Sequence, residues 1–182
     1  MNIAGHNYRD MAFATSVLAW LCGCGTSADP AHMAVQSTPA NSNFPDALHH
    51  VMCVRHVAGR EDTSTFWGTL VSDQDFNDAL TATLQAAGLA ASGAACKYPI
   101  DVNVLGVVQY NHMFSMDVTS HLNYKVYDAA GQPVLLETIS AAASSDATFG
   151  PVRIKRANEG SIRDSISQFL EKLRAAKLSQ AR

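Results

Sequence analysis

The stretch FSMDVTSHLNYKV, residues 114–126, alternates between apolar and polar side chains along most of its length. Because successive side chains of a strand point to opposite faces, this pattern predicts a strand with one buried face and one face in water. Such a strand is typical of an antiparallel sheet that is covered on one side only. The expected inward side chains are Phe114, Met116, Val118, Leu122, Tyr124 and Val126, and the outward ones are Ser115, Asp117, Thr119, His121, Asn123 and Lys125.

Three further strands are expected before and after this central one. Residues 47–58 and the Val-rich residues 98–109 precede it, and residues 134–142 follow it. Residues 110–113 are expected to form the turn that leads into the central strand. The segment DAAGQP, residues 128–133, combines Asp, Gly and Pro and predicts the turn that leaves it.

Two amphipathic helices are also predicted. The first begins after Ser72, whose side chain can cap the helix together with Asp75, and Gly88 is placed to end it in a left-handed conformation. The second carries Pro151 in its first turn, where a missing N–H is tolerated. Gly160 inside that helix costs about 1 kcal/mol relative to alanine, so we expect a bend or close packing there.

The element order β-α-β-β-β-α predicts an α+β fold. Two helices on one face of a four-stranded, mostly antiparallel sheet bury both helical stripes and the apolar sheet face, which gives a two-layer sandwich. If the first helix is a right-handed crossover, the strands that flank it run parallel. The sequence therefore predicts one domain over residues 47–178, followed by a short tail at residues 179–182.

The front of the chain has the pattern of an export signal. The run MAFATSVLAWL, residues 11–21, has the length of a signal-peptide core and falls short of the roughly 18 residues that cross a bilayer. Leu21, Gly23 and Cys24 then resemble the bacterial lipobox, in which an aliphatic residue stands three places before an acylated cysteine and a small residue directly before it. An ordinary secretory signal and a structural leader remain alternatives, and Met11 is an alternative start.

This interpretation predicts a signal peptide over residues 1–23, a palmitate-bearing lipid anchor on Cys24 and a flexible tether over residues 24–46. The tether segment is rich in small and polar residues and shows no apolar period. An acylated chain of this kind is held on a membrane in the cell envelope. By resemblance to lipoproteins of Gram-negative bacteria, Gly25 in place of Asp implies the periplasmic side of the outer membrane.

Four segments resemble a family of small uncharacterised proteobacterial lipoproteins. They are FWGTLVSDQDFNDALTATLQAAGL, YPIDVNVLGVVQ, FSMDVTSHLNYKVYDAAGQPV and RIKRANEGSIRDSISQFLEKL, and they cover most of residues 66–173. The layout also resembles the two-layer domains of other envelope lipoproteins, including the small subunit of the lipopolysaccharide transport assembly. These resemblances imply a lipid-anchored α+β domain and supply no catalytic residues.

Several functions are not expected from this sequence. Some members of the family carry the label UDP-N-acetylglucosamine acyltransferase, but such enzymes are β-helices of hexapeptide repeats, and the sequence has no internal repeat. The formal net charge of −3 provides no general attraction to nucleic acid. Phosphate-binding loops, dinucleotide fingerprints and the G-x-S-x-G nucleophile elbow are missing from the sequence. We therefore expect no cofactor and no nucleic-acid partner.

The cysteine and histidine residues of the domain are the candidates for redox and metal chemistry. If the strands flanking the first helix are parallel, Cys53 and Cys96 can approach to the roughly 4.4–6.8 Å between Cα atoms that a disulfide needs. Two separate buried thiols are the alternative. His50 and His56 share one strand face with Cys53 on the other, and six residues separate them by about 20 Å, so no metal site is expected.

Two polar surfaces are candidates for partner binding. One is the outward face of the central strand, where side chains two residues apart stand parallel about 7 Å apart and cannot easily converge as a catalytic triad. The other is basic and lies near the start of the final helix, where cations oppose the helix dipole. It predicts either an anion-binding surface or a plain salt-bridged one. The candidate residues are Asp117, Thr119, His121, Asn123, Arg153 and Arg156.

Together these patterns favour a non-enzymatic envelope lipoprotein. Its single domain is expected to bind an envelope protein or a glycolipid through the polar sheet face or an open strand edge. A small periplasmic enzyme with a site built from scattered residues is one alternative. A subunit that is stable only within a larger envelope complex is another.

Overall fold

Four strands and three α-helices form the part of the chain that the computed structural model describes, which is residues 27–36, 43–59, 71–176 and 178. The predicted signal peptide, Cys24 and the tail at residues 179–182 lie outside these residues. In chain order the elements are α1 (Pro30–Met33), β1 (Met52–Gly59), α2 (Asp73–Ala86), β2 (Tyr98–Asn111), β3 (Met116–Tyr127), β4 (Pro133–Ser145) and α3 (Gly150–Ala175). Among the described residues, none of the helices is long and apolar enough to cross a membrane.

The strands form one sheet in the order β1-β2-β3-β4. β1 and β2 run parallel, and the other two neighbouring pairs run antiparallel, so the predicted mostly antiparallel α+β fold is confirmed. Burial alternates residue by residue along the whole of β3, as its sequence predicted. Its inward side chains from Val118 to Val126 are fully buried, and Met116 is 4% exposed.

The first long helix begins and ends at the predicted signals. The Ser72 hydroxyl accepts a hydrogen bond from the Asp75 N–H at 3.0 Å, and the Asp75 carboxylate accepts one from the Ser72 N–H at 3.2 Å. This reciprocal pair satisfies two backbone donors that have no partner inside the helix. At the other end Gly88 has a φ of +71°, the left-handed conformation that glycine adopts at low cost.

The core lies between the sheet and helices α2 and α3. Phe76, Leu80 and Ile162 are fully buried in it. The Tyr124 ring stacks on the Phe169 ring at 4.4 Å between centroids, and the Tyr124 and Ser165 hydroxyls share a hydrogen bond of 3.0 Å. Burial of the phenol raises the pKa of Tyr124, and the bond to Ser165 only partly opposes that shift.

Helix α3 approaches β4 very closely at Gly160. A Cβ atom at that position would lie 2.8 Å from the Ala143 Cβ. Of the two explanations expected for this glycine, close packing therefore applies. Glycine is required because any side chain would push helix and sheet apart.

Several strand boundaries differ from the expected ones, and β4 continues to Ser145 and not only to residue 142. The two differences that move apolar residues out of strands are at the hairpin loop and before β1. β2 continues to Asn111, so the hairpin loop spans residues 112–115 and not 110–113. Phe114, expected to face the core, lies in this loop and is 77% exposed. β1 begins at Met52 because a short 3-10 turn, Asp46–Leu48, precedes it. In both places apolar composition resembled a strand although the backbone turns there.

The expected flexible tether is wrong for residues 27–36, which we call the N-terminal strap. Its helix α1 packs against both α2 and α3, and Met33 is fully buried between them. The Asp29 N–H donates to the buried Glu159 carboxylate at 2.7 Å, and the Val35 N–H donates to the Thr83 hydroxyl at 2.9 Å. The folded unit therefore starts before residue 47, since a few anchoring contacts hold a segment whose average composition is that of a linker.

A disulfide joins Cys53 and Cys96, whose Cα atoms lie 5.7 Å apart. Of the two alternatives for these cysteines, the structure therefore has the bonded one. Cys53 is in β1 beside Pro99 of β2, and Cys96 lies just before β2 begins. The parallel pairing of β1 and β2 is what brings the two residues together.

Candidate functional site

The described helices all lie on one face of the sheet, and we call the opposite face the open face. The outward residues of β3 stay partly exposed, while their inward neighbours are buried. None of the described helices or strands covers this face. The outward residues that define it are Asp101, Asn103, Val108 and Tyr110 of β2, Asp117, Thr119, His121, Asn123 and Lys125 of β3, and Leu136, Thr138, Ser140 and Ser144 of β4.

Polar side chains on β3 and β4 pair across the two strands of the open face. Asn123 Nδ2 donates to Thr138 Oγ1 at 3.0 Å, and His121 Nδ1 shares a hydrogen bond of 2.7 Å with Ser140 Oγ. In each case the partners stand directly opposite in the register. Such cross-strand pairs stabilise the sheet and hold each side chain in one orientation. The structure therefore arranges the predicted polar residues in a line along the strand and not in one cluster, and Thr119 stands opposite Ala142.

Asp117 is the most connected of these residues. Its carboxylate accepts a hydrogen bond from the Ser144 hydroxyl opposite it and pairs with His112 Nε2 at 3.0 Å. A hydrolytic triad needs the imidazole between the serine and the carboxylate, so that it can take the hydroxyl proton. Here the carboxylate lies between the imidazole and the hydroxyl, so the imidazole cannot take the hydroxyl proton and the contacts serve to hold the strands and the loop together. No sequence pattern pointed to His112, because its contact with Asp117 depends on the hairpin loop that brings it back onto the sheet.

A charged cluster that the sequence did not reveal occupies the β1 side of the open face. Arg55 donates two hydrogen bonds to the Asp101 carboxylate, at 2.8 and 2.5 Å, and its guanidinium lies 4.5 Å from the Tyr127 ring centroid. The hydrogen bonds from Arg55 hold the pKa of Asp101 below its ordinary value, and the Asp101 contact raises the pKa of Arg55. A register shift in β1 at this point is what turns Arg55 toward Asp101.

The two basic residues predicted to bind a partner have different roles. Arg153 Nε donates to the Ala147 carbonyl at 2.9 Å, and its terminal nitrogen donates to the Met113 carbonyl at 3.2 Å. Arg153 therefore joins the β2–β3 hairpin loop to the loop before α3. Arg156 is exposed and lines a polar groove of about 450 Å³ with Glu159 and Asp146.

Three large apolar side chains, Met113, Phe114 and Phe149, form what we call the apolar tip. They are 83%, 77% and 66% exposed, respectively. Met113 and Phe114 lie in the hairpin loop and Phe149 directly precedes α3, so Arg153 links the two segments that carry them. Only Phe114 was singled out in the sequence, and there as a core residue. Large exposed apolar groups that lie near one another are typical of contact surfaces.

The histidines near β1 are not arranged around a metal. The ring nitrogens of His49 lie 3.2 Å from the Gly88 carbonyl and 3.3 Å from the Phe44 carbonyl, within hydrogen-bond distance of both. The Cys53 sulfur is in the disulfide. Within the described ranges, no group of three or more His, Cys, Asp or Glu side chains is placed to hold a metal ion.

Comparison with known proteins defines the class of fold. No family model matches this sequence, and neither does any curated protein. Among solved structures, a Xanthomonas campestris protein of family DUF330 is similar with a TM-score of 0.56 and 14% identity, over 76% of this chain and 94% of its own. The hypothetical protein CT253 of Chlamydia trachomatis reaches a TM-score of 0.51 at 9% identity, over 70% of this chain and 99% of its own.

A further similar structure comes from Caulobacter crescentus and is described as a candidate lipoprotein. Its TM-score is 0.49 at 13% identity, over 71% of this chain and 91% of its own. At these identities the likeness shows the fold, a two-layer α+β domain, and nothing finer.

Proposed function

We propose that this chain is a lipid-anchored protein of the cell envelope whose α+β domain binds a partner through the open face and does not catalyse a reaction. The observation that carries the proposal is the open face itself, a sheet surface of ordered polar pairs that no described element covers. A two-layer domain buries one sheet face for stability, and the other is free for recognition.

The lipobox and the disulfide support the envelope location. Leu21, Gly23 and Cys24 fit the acylation pattern, and the Cys53–Cys96 bond fits an oxidising compartment outside the cytoplasm. With Gly25 after the acylated cysteine, we place the protein on the periplasmic side of the outer membrane.

The composition of the open face supports binding of a protein or a glycolipid. Its β2 side carries partly exposed apolar residues, Leu105, Val108 and Tyr110, next to the polar pairs of β3 and β4. Such a mixture of apolar and polar groups is typical of recognition surfaces.

The side-chain geometry favours binding over catalysis. On the open face Asp117, His121 and Asn123 are each bonded to the residue opposite in β4, and Asp117 separates His112 from Ser144. A catalytic site needs groups that converge on one reacting atom. We therefore do not propose the periplasmic enzyme that the sequence left as an alternative.

Palmitate labelling tests the anchor. We expect label on the wild-type chain, loss of label in Cys24→Ala and retention in the matched control Cys22→Ala. Labelling that is unchanged in Cys24→Ala would refute the anchor at this position.

Site-specific photocrosslinking in intact cells tests the binding surface. A photoreactive phenylalanine analogue is placed at Val108, which is 39% exposed opposite Thr119 on the open face. The control position is Gln168, exposed on α3 in the helical layer. A discrete adduct from Val108 and none from Gln168 is expected. Equal adducts from both positions, or none from Val108, would contradict binding through the open face.

A further inference from the structure

The apolar tip lies at one end of the sheet. The hairpin loop that carries Met113 and Phe114 joins Asn111 to Met116, and Met116 pairs with Ser145 at the end of β4. Phe149 follows a few residues after Ser145, immediately before α3 begins. The ends of three strands and the start of a helix therefore meet at the tip.

The tip is held in place by backbone contacts. Arg153 donates to carbonyls in both loops, which keeps the two parts of the tip together. Beneath it, Met116 and Ile154 line a groove of about 410 Å³ between β2 and α3. Exposing Met113 and the two Phe side chains to water on an ordered support is unfavourable, and contact with an apolar phase removes that cost.

The position of the strap limits how far the proposed anchor can lie from the tip end of the domain. Asp29 is bonded to Glu159, which is nine residues into α3 and so about 14 Å along the helix from Gly150. Cys24 precedes Asp29 by five residues, which span at most about 18 Å. An acyl chain on Cys24 therefore keeps Asp29 within about 18 Å of the membrane, which is close enough for the start of α3 to reach it.

The exposed charged side chains near the tip include an acid, Asp146, and a cation, Arg156, that can meet a phospholipid headgroup. Arg156 is exposed six residues into α3, about 9 Å along the helix from Gly150. That is the distance at which a cation meets anionic headgroups when apolar side chains enter the boundary of the acyl chains.

We propose that the apolar tip inserts into the same bilayer that holds the acylated Cys24, so that the domain stands upright on its own membrane. This inference rests on the proposed lipid anchor. In this orientation the strands point at the membrane, and the open face is turned sideways toward partners on the same surface.

A fluorescent probe on single introduced cysteines tests the insertion. The mature lipidated protein, with its disulfide intact, is placed in vesicles of phosphatidylethanolamine and phosphatidylglycerol. A nitrobenzoxadiazole label is attached at Met113→Cys or Phe149→Cys in the tip. The matched control is Leu136→Cys, an apolar residue that is 61% exposed and lies nine residues along β4 from Ser145, about 30 Å from the tip end.

We expect both tip labels to emit at shorter wavelength when the protein binds vesicles, and we expect their quenching by aqueous iodide to fall several-fold. The Leu136→Cys label should be quenched by iodide as strongly as it is without vesicles. Vesicle-bound protein whose tip labels are quenched as strongly as the control would overturn the insertion but leave the anchor standing. Protection at all three positions indicates aggregation and also overturns it. Mass spectrometry of the N-terminal peptide separates these results from failure of the anchor, since a peptide without acyl chains removes the premise.

Discussion

Replacing Gly160 by alanine tests the closest contact between the two layers of the domain. The added Cβ would lie 2.8 Å from the Ala143 Cβ, whereas ordinary contacts of this kind begin at 3.4 Å. Helix α3 and strand β4 must therefore separate by about 0.6 Å or bend locally. Neither Cβ can rotate away, because both are fixed to the backbone.

Two opposing effects set the magnitude. Alanine in place of glycine stabilises a helix by about 1 kcal/mol. Overpacking of a well-filled core costs roughly 1–3 kcal/mol, and we expect the upper end because neither atom has an alternative rotamer. The free energy of unfolding should therefore fall by about 2 kcal/mol.

Urea denaturation of the detergent-solubilised protein, with the disulfide intact, measures this change. A lower midpoint with an unchanged slope is expected for Gly160→Ala. In an Ala143→Gly background the opposing atom is gone, so the same substitution should stabilise the protein by about 1 kcal/mol. If Gly160→Ala is as stable as the wild type in both backgrounds, the packing argument is falsified.

Three further predictions concern the contacts that hold the domain together. Because the Cys53–Cys96 bond closes a loop with a sequence separation of 43, the double Ala variant should lose up to about 4 kcal/mol of stability in urea denaturation. Glu159→Gln should weaken the attachment of the N-terminal strap, so hydrogen exchange of the strap amides should speed up while core amides change little. Arg55→Ala should destabilise the protein at neutral pH, and the difference should vanish in acid. The reason is that the pKa of Asp101 is lower in the folded state than its ordinary value of 3.8. The ion pair therefore stabilises the folded state at pH values above 3.8, and this stabilisation is lost as the pH falls through the lower pKa of the folded state.

Each of these has a result that would contradict it. Reduction of the wild type should reproduce the effect of the double Ala variant, and an unchanged urea midpoint would count against a stabilising bond. Strap amides that exchange at the wild-type rate in Glu159→Gln would show that the carboxylate does not hold the strap. An Arg55→Ala penalty that persists unchanged in acid would show that the arginine acts through packing on Tyr127 and not through Asp101.

Local sequence patterns were sufficient to predict the two layers of the fold. The alternation in residues 114–126 follows from strand geometry alone, and the reciprocal cap of Ser72 and Asp75 is a contact between neighbours in sequence. Such features depend on short stretches of chain, so one sequence is enough to predict them. The boundaries near Phe114 were missed because an apolar residue in a loop looks the same as one in a strand.

The candidate surfaces depended on contacts between residues far apart in the chain. The sequence placed Asp117 and His121 on the outward face of a strand, but their bonds to Ser144 and Ser140 depend on the register of β4. The link from Arg153 to Met113 spans 40 residues. No local pattern specifies such a pairing.

By itself, then, the sequence determined the order of the four strands and the two long helices, the two-layer α+β class and the polar character of the outward face, since each follows from short-range periodicity. Only the tertiary structure decided that the N-terminal strap packs between the helices, that Cys53 bonds to Cys96 and that Met113, Phe114 and Phe149 lie at one end of the sheet. These outcomes depend on which surfaces from distant parts of the chain fit together. Because the interior is close-packed, that fit is set by the packing of the whole domain and not by any short segment.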